Sequence, residues 1–265
     1  MINNGEEVLT LIDKIHNEKP YGTVLIRAND ILNYLLNCNT HPTLAEISTG
    51  LKFSKPTTLK ILNTLELLGW VIRDDQTKQY FLGTQLISFG DKALASMDLV
   101  KIARPYLTEL RDKTQETINL GIVQNEHIIL IDKLESPMSV KLQSTIGGQM
   151  NLYSSSMGKA VLATYKPSHF KDYLATHQLT SLTNHTITSA KKLQEDINLI
   201  KQTGFAMDNE ENETDVFCLG ATIKKNNRLY GAFSISTPTY RLPEERKNKF
   251  VRLLLNTQAE IENKI

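Results

Sequence analysis

Nowhere in the chain do about 18 apolar residues follow one another, so no segment reads as a membrane-spanning helix. The opening stretch Met1 to Thr10 contains Glu6 and Glu7 and lacks the apolar run of a signal peptide. Cysteine is scarce. The two present, Cys38 and Cys218, lie far apart and fit no C-x-x-C spacing, which argues against a disulfide framework and against a zinc site. An excess of either charge is also missing: the net charge is +1, so bulk electrostatics supports neither a strongly basic nucleic-acid binder nor an acidic disordered chain. Internal repeats and low-complexity tracts are absent. What remains is a globular composition, 40% hydrophobic and 22% charged, able to bury one large core or two ordinary ones in 265 residues. The expectation is a cytoplasmic protein with no metal, no cofactor and no membrane partner.

Local pattern carries the rest. Val8, Leu11, Ile12 and Ile15 repeat at helical spacing up to the breaker Lys19-Pro20-Tyr21-Gly22, which predicts an N-terminal helical extension over 1–20. Val24, Ala28, Ile31, Leu32, Leu35 and Leu36 predict a helix from Thr23 to Asn37. Thr43-Leu44-Ala45-Glu46 is a capping box that starts a short helix, with Gly50 as its stop. Ser54 can cap a third helix that carries Pro56 in its first turn and runs to Leu68. Trp70 to Arg73 and Gln79 to Leu82 read as two strands around the turn Asp74 to Lys78. Helix, short helix, turn, helix and hairpin within 21–83 is the plan of a winged helix-turn-helix.

Two linker helices are expected over 84–115, the second starting near Asp98 and containing Pro105. From Glu116 the periodicity turns to strands, at Thr117 to Val123, His127 to Leu134 and Met138 to Gln143. Helices follow at Met157 to Tyr165, Pro167 to His177 and Ala190 to Thr203. Strands at Phe205 to Asn209, Val216 to Lys224 and Arg228 to Thr237 then precede a last helix, Pro243 to Lys264. The fold class is therefore α+β: a winged helix-turn-helix, linker helices, and over 116–265 an antiparallel-sheet domain of sensor type with flanking helices.

The second helix of a helix-turn-helix enters the major groove N-terminus first. The residues expected to be exposed there are Lys55, Thr57, Thr58 and Lys60, while Leu59, Ile61, Leu62 and Leu65 form the apolar faces. Lysine can donate to guanine or act as a point charge on phosphate; threonine can bond phosphate and touch a thymine methyl. Thr43 and the wing residues Arg73 and Lys78 complete the candidate DNA-contact set. Over 21–83 six basic residues (Arg27, Lys52, Lys55, Lys60, Arg73, Lys78) face five acidic ones (Asp30, Glu46, Glu66, Asp74, Asp75), so affinity must depend on where the cations cluster.

Thr43 to Ile47, Lys55 to Leu68, Gly69-Trp70-Val71 and Tyr80 to Gly83 resemble the IclR family of bacterial transcriptional regulators. So do Ala103-Arg104-Pro105, Asp132 to Ser136, Gly158-Lys159-Ala160, Gly204 to Asp208, Cys218 and Ser234-Ile235-Ser236. The resemblance implies a winged-helix reader of double-stranded DNA at a promoter or operator, joined by a linker helix to a GAF-like or PAS-like effector-binding domain, in a homodimer or homotetramer. Repression and activation both occur among such proteins; repression is the expected sign, acting on a metabolic operon. Lys60 stands where the family often has arginine, and lysine cannot copy a bidentate arginine contact. Pro56 stands where a small polar residue is usual.

Ser154-Ser155-Ser156-Met157-Gly158 at a helix start offers hydroxyls and free backbone N–H groups, which suits a carboxylate. The resemblance makes Ser156 and Met157 candidate backbone contacts to a small organic effector, and Asp208, Cys218, Ser234 and Ser236 candidate lining residues. Ser234 and Ser236 share a strand face. Asp208 would repel a carboxylate unless it is paired or turned away. The rival reading makes the second domain a small-molecule hydrolase or redox switch using Cys218, with His169, His177 or His185 as a base; no nucleophile motif surrounds the cysteine, and the expectation is that the protein is not an enzyme.

Overall fold

The computed structural model describes residues 22–38, 40–95, 98–140 and 142–265, leaving out the side chains of 94 and 95. The helical reading of 1–20 lies outside the described residues. The chain divides into two compact units, Met1–Ser96 and Met97–Ile265.

In the first unit, α1 (Thr23–Asn37), α2 (Leu44–Gly50) and α3 (Lys55–Leu67) are followed by the hairpin β1 (Val71–Arg73) and β2 (Tyr80–Leu82) and by α4 (Gln85–Ala95). The capping box at Thr43 forms on both sides: Glu46 N donates to Thr43 Oγ1 at 3.5 Å and Thr43 N to Glu46 Oε2 at 2.7 Å. Ser54 caps α3 by accepting from Thr57 N, and Pro56 sits in the first turn, where the missing N–H leaves no bond unmade. Ile31, Leu35, Ile47, Ile61, Leu62, Leu65, Val71 and Tyr80 close one core. Val24 and Leu36, expected on the buried face of α1, are 58% and 65% exposed. The hairpin is tied back to the start of α2 by Tyr80 N donating to Pro42 O at 2.9 Å and by an isolated bridge between Thr43 and Gln79.

The second unit opens with α5 (Asp98–Thr114) and holds a six-stranded sheet in the order β5-β4-β3-β8-β7-β6. Its strands are β3 (Thr117–Gln124), β4 (His127–Leu134), β5 (Gln149–Asn151), β6 (Ala206–Asn209), β7 (Val216–Lys225) and β8 (Arg228–Pro238), all paired antiparallel. Helices α6 (Ser156–Leu162), α7 (Pro167–Thr176) and α8 (Ala190–Thr203) lie between β5 and β6, and α9 (Glu244–Lys264) closes the chain. No strand forms at Met138 to Gln143 among its described residues; β5 begins six residues beyond Gln143 and pairs with β4. The apolar alternation there misleads because the carbonyls of Val140 and Leu142 accept from the Arg241 and Lys133 side chains instead of from a ladder.

Alternation along the strands gives the sheet two covered faces. One packs Ile128, Leu130, Ala206 and Ala232 against Met157, Ala160, Val161, Phe170, Tyr173, Leu193 and Ile197. The other packs against α5 and α9: Gly231 lies so close to α5 that a Cβ there would come within 2.8 Å of Leu99 Cδ2. Glu116, fully buried between α5 and β3, is held by Arg241 Nη2 at 2.7 Å and Arg246 Nη2 at 3.0 Å, and Arg246 also donates to Thr114 O. Removing one member of a buried ion cluster strands the others, so Glu116→Ala should lower stability by about 3–5 kcal/mol in urea denaturation of the full chain. A loss within experimental error would show that the two arginines find water once the carboxylate is gone.

Candidate functional site

In the first unit a groove of about 400 Å³ is lined by Thr43, Leu44, Ala45, Lys55, Leu59, Arg73, Lys78 and Tyr80. Four of the sequence-predicted DNA contacts, Thr43, Lys55, Arg73 and Lys78, thus converge from the start of α2, the start of α3 and the hairpin. The hairpin turn is shaped by Asp74, whose Oδ1 accepts from Gln76 N at 2.7 Å and Thr77 N at 3.0 Å; these bonds hold its carboxyl below the usual range. Lys78 follows in the left-handed region, at φ 58°. The Arg73 guanidinium lies over the Tyr80 ring at 5.9 Å. Lys60 is exposed further along α3, outside the groove lining. The Thr57 hydroxyl sits 2.8 Å from Ser54 Oγ within the helix cap.

Two assignments change. Thr58, expected to be exposed, is fully buried, and its hydroxyl donates to Ser54 O at 3.1 Å. It stands three and four residues before Ile61 and Leu62 and so shares their inward face. Leu59, expected among the apolar faces, is 37% exposed and lines the groove beside Lys55.

In the second unit strand register assembles the predicted effector set on the face beneath α6. Cα partners run across the sheet as Lys133, Asn119, Ser234, Gly220 and Ala206 in one row, and as Thr117, Ser236, Cys218 and Asp208 in the next. Gly220 admits α6 to close range: a Cβ there would lie 2.6 Å from the Ser156 carbonyl carbon and 2.7 Å from Met157 N. Ser155 caps α6 by accepting from Gly158 N at 3.1 Å. Ser156 and Met157 are buried over Gly220, beside Ser234 in the same row. Ser236 Oγ accepts from Asn119 Nδ2 at 3.2 Å and from Cys218 Sγ at 3.1 Å, and Ser234 Oγ lies 3.4 Å away. Asn119 Oδ1 in turn accepts from Ser144 Oγ at 2.9 Å.

Sequence reasoning missed Asn119, Ser144 and Lys133 as members of this assembly. It also missed a buried cluster beside Asp208, in which Lys159 Nζ lies 2.5 Å from Glu211 Oε1 and 2.8 Å from Asp196 Oδ2. The signals were a polar Asn119 between Ile118 and Leu120, and a lysine inside a short helix of small and apolar residues.

The chemistry of Cys218 argues against a nucleophile. Burial, with the nearby Asp208 carboxylate adding to it, pushes the thiol well up. Of the histidines considered as a base, His169 and His177 face Glu126 at 3.6 and 3.3 Å and stack on Tyr165 and Tyr173.

Asp208 is paired, as an anion-tolerant site requires: its Oδ1 accepts from Glu211 N at 2.8 Å and Asn212 N at 3.3 Å. Burial nevertheless pushes its carboxyl up to about 7, outweighing those bonds. Unfolded, the group titrates near ~3.9. Between these values the folded chain holds a proton that the unfolded chain has lost, so this group's contribution is greatest below pH ~4 and declines as pH rises to about 7. Asp208→Asn keeps the acceptor oxygen and removes the titration. Above neutrality its unfolding free energy should exceed that of the unsubstituted chain by on the order of a few kcal/mol, read as a higher Tm, with the gap shrinking towards acid pH. A gap that does not vary with pH in thermal melts would contradict the assignment.

Residues 24–75 match the model of the IclR helix-turn-helix domain, and residues 91–263 that of the bacterial transcriptional regulator IclR C-terminal region. The DNA-binding transcriptional repressor YiaJ of Escherichia coli K12 is 34% identical over 253 residues, which cover 94% of this chain and 90% of that protein. The crystal structure of the Thermotoga maritima IclR superposes with a TM-score of 0.73 at 30% identity, covering 91% of this chain and 98% of the other. An IclR homolog from Microbacterium hydrocarbonoxydans, crystallised with 4-hydroxybenzoate, shares the fold with a TM-score of 0.77 at 17% identity, over 91% and 98% of the two chains. The chain belongs to the IclR family of bacterial transcriptional regulators, its helix-turn-helix domain followed by the family's C-terminal domain.

Proposed function

We propose that the protein is a repressor that binds an operator as a homodimer or homotetramer, in the cytoplasm where that DNA lies, and that a small organic effector in the second domain controls its occupancy. The functional divisions of this reading are a winged helix-turn-helix over 21–83, linker helices over 84–115 and an effector-binding domain over 116–265.

The observation that carries the reading is the groove in which Thr43, Lys55, Arg73 and Lys78 come together from three separate elements. The first unit is nearly neutral, so only such local clustering gives phosphate a reason to bind. Lys55, Lys60, Arg73 and Lys78 act on phosphate, with Thr43 at the helix start beside them. Thr57, its hydroxyl engaged by Ser54, offers its methyl to base edges. Lys60, placed outside the groove, meets a different phosphate or a guanine.

The effector lies against Ser156, Met157, Cys218, Ser234 and Ser236, with Asp208 at the margin. The 4-hydroxybenzoate held by the Microbacterium homolog supports a small organic acid as the class. Binding shifts the population between DNA-competent and incompetent arrangements by its differential affinity for the two. The raised thiol of Cys218 and its bond to Ser236 support a regulator without catalytic activity.

Fluorescence anisotropy with the gene's own upstream DNA tests the reading. The chain should prefer that DNA over unrelated sequence, and small molecules from a cell extract should change the preference. Equal binding to both DNAs, with and without extract, would remove the regulator reading. Lys55→Ala should weaken binding to every sequence and reduce the slope of log affinity against log salt by about one. An unchanged slope takes Lys55 off the phosphate list. Thr57→Ala should leave the slope alone and relax base preference.

A further inference from the structure

Lys133 is the one cation on the sheet row that also carries Asn119, Ser234 and Gly220, and that row holds no carboxylate. Its side chain is 12% exposed. An ammonium has three donors. Lys133 gives two of them to neutral carbonyls, Leu142 O at 3.0 Å and Ser144 O at 2.9 Å. Lys133 is also ion-paired with Glu135, whose Oε1 lies 3.6 Å away on a side chain that is 49% exposed, so solvent screens the pair. A cation so enclosed, with two neutral carbonyls and one half-exposed carboxylate around it, gains from a second anion brought onto the row, where that anion can accept a direct hydrogen bond.

The same segment that Lys133 holds reaches the floor of the effector set, because Ser144 Oγ donates to Asn119 Oδ1 and Asn119 Nδ2 to Ser236 Oγ. Lys133 and Ser234 lie two strands apart, about 10 Å at the backbone, a span that a lysine stem and a short acid can close together. We propose that Lys133 is the charge-reading residue of the effector site, taking the carboxylate of a small organic acid whose remainder lies on Ser234, Ser236 and Cys218. The proposal rests on the effector reading above and gives that site its charge selectivity. Asp208, on the neighbouring row, does not oppose it below neutrality, since burial there keeps its carboxyl largely protonated.

Acetate, the smallest stable probe with a carboxylate and a methyl, tests the assignment in thermal-shift titrations of the full chain below neutrality. Chloride at matched ionic strength and acetamide, its neutral analogue, serve as references. Acetate should stabilise the unsubstituted chain more than either. Lys133→Met, which keeps the stem, and Lys133→Gln, which keeps N–H donors for the carbonyls of Leu142 and Ser144, should each weaken acetate about 10- to 100-fold. If the methionine variant does not fold, the glutamine variant decides. A lysine that merely straps the segment would leave the acetate-over-acetamide preference intact in Lys133→Gln, and that result overturns the proposal. So does acetate that stabilises no better than chloride or acetamide. Either outcome leaves the regulator reading standing, because the effect of cell extract on DNA binding judges that separately.

Discussion

Polar side chains on a sheet covered by helices have lost their water, and each must find a partner on the sheet or cost stability. The face beneath α6 is built around that constraint. Two of its rows are almost wholly polar between Lys133 and Asp208, and they satisfy one another through Ser236, whose oxygen accepts from Asn119 and Cys218 at once. The arrangement depends on Gly220. Any larger residue there would collide with the Ser156 carbonyl and the Met157 amide, lift α6 from the sheet and separate the helix from the serines beneath it. A polar floor under a closely seated helix costs stability that an apolar core would not.

Charge on the opposite face is managed differently. Glu116 is closed between two arginines, and Asp132 accepts from Arg104 of α5 at 2.6 Å. Asp132 and Lys133 are chain neighbours on β4 and therefore point to opposite faces. The register shift beside them, between Leu120 and Gly121 on the partner strand, marks a bulge. One short piece of backbone thus ties α5 on one side and the segment at Leu142 and Ser144 on the other.

Much of this was legible in the sequence. The capping box at Thr43, the Ser54 cap and Pro56 fixed two helix starts because they act through neighbours a few residues away. Ser234 and Ser236 could be placed on one face by alternation alone. Cys218 and Asp208 could be joined to them only by family likeness, since which strands pair is a long-range matter that no local pattern encodes. Asn119 and Ser144 went unseen for the same reason: their roles are bonds made across 117 and 25 residues of sequence. Thr58 and Leu59 exchanged places because a rotation of one residue about the helix axis, ~100°, decides which faces inward, and polarity misassigned both. The segment from Met138 alternates like a strand, yet its carbonyls are taken by side chains.

A winged helix-turn-helix unit with six basic residues against five acidic ones cannot hold DNA by its net field, so placement has to substitute for charge. Two of the acidic residues are withdrawn from competition, while Asp75 stays exposed with its Oδ1 4.0 Å from Lys78 Nζ. Glu46 is turned into the capping box, and Asp74 is bonded to the amides of its own turn, so each carboxylate is spent on folding the groove wall. Glu46 and Thr43 set the start of α2, while Asp74 shapes the turn that carries Lys78. The cations that remain, Lys55, Arg73 and Lys78, are presented by elements whose geometry those carboxylates fix. Local folding and the charge of this groove are thereby linked: a change to Glu46 or Asp74 would alter both the charge count and the position of the positive groups. Such a surface offers few cations to any one stretch of DNA backbone, so each of them carries a large share of its attraction for phosphate.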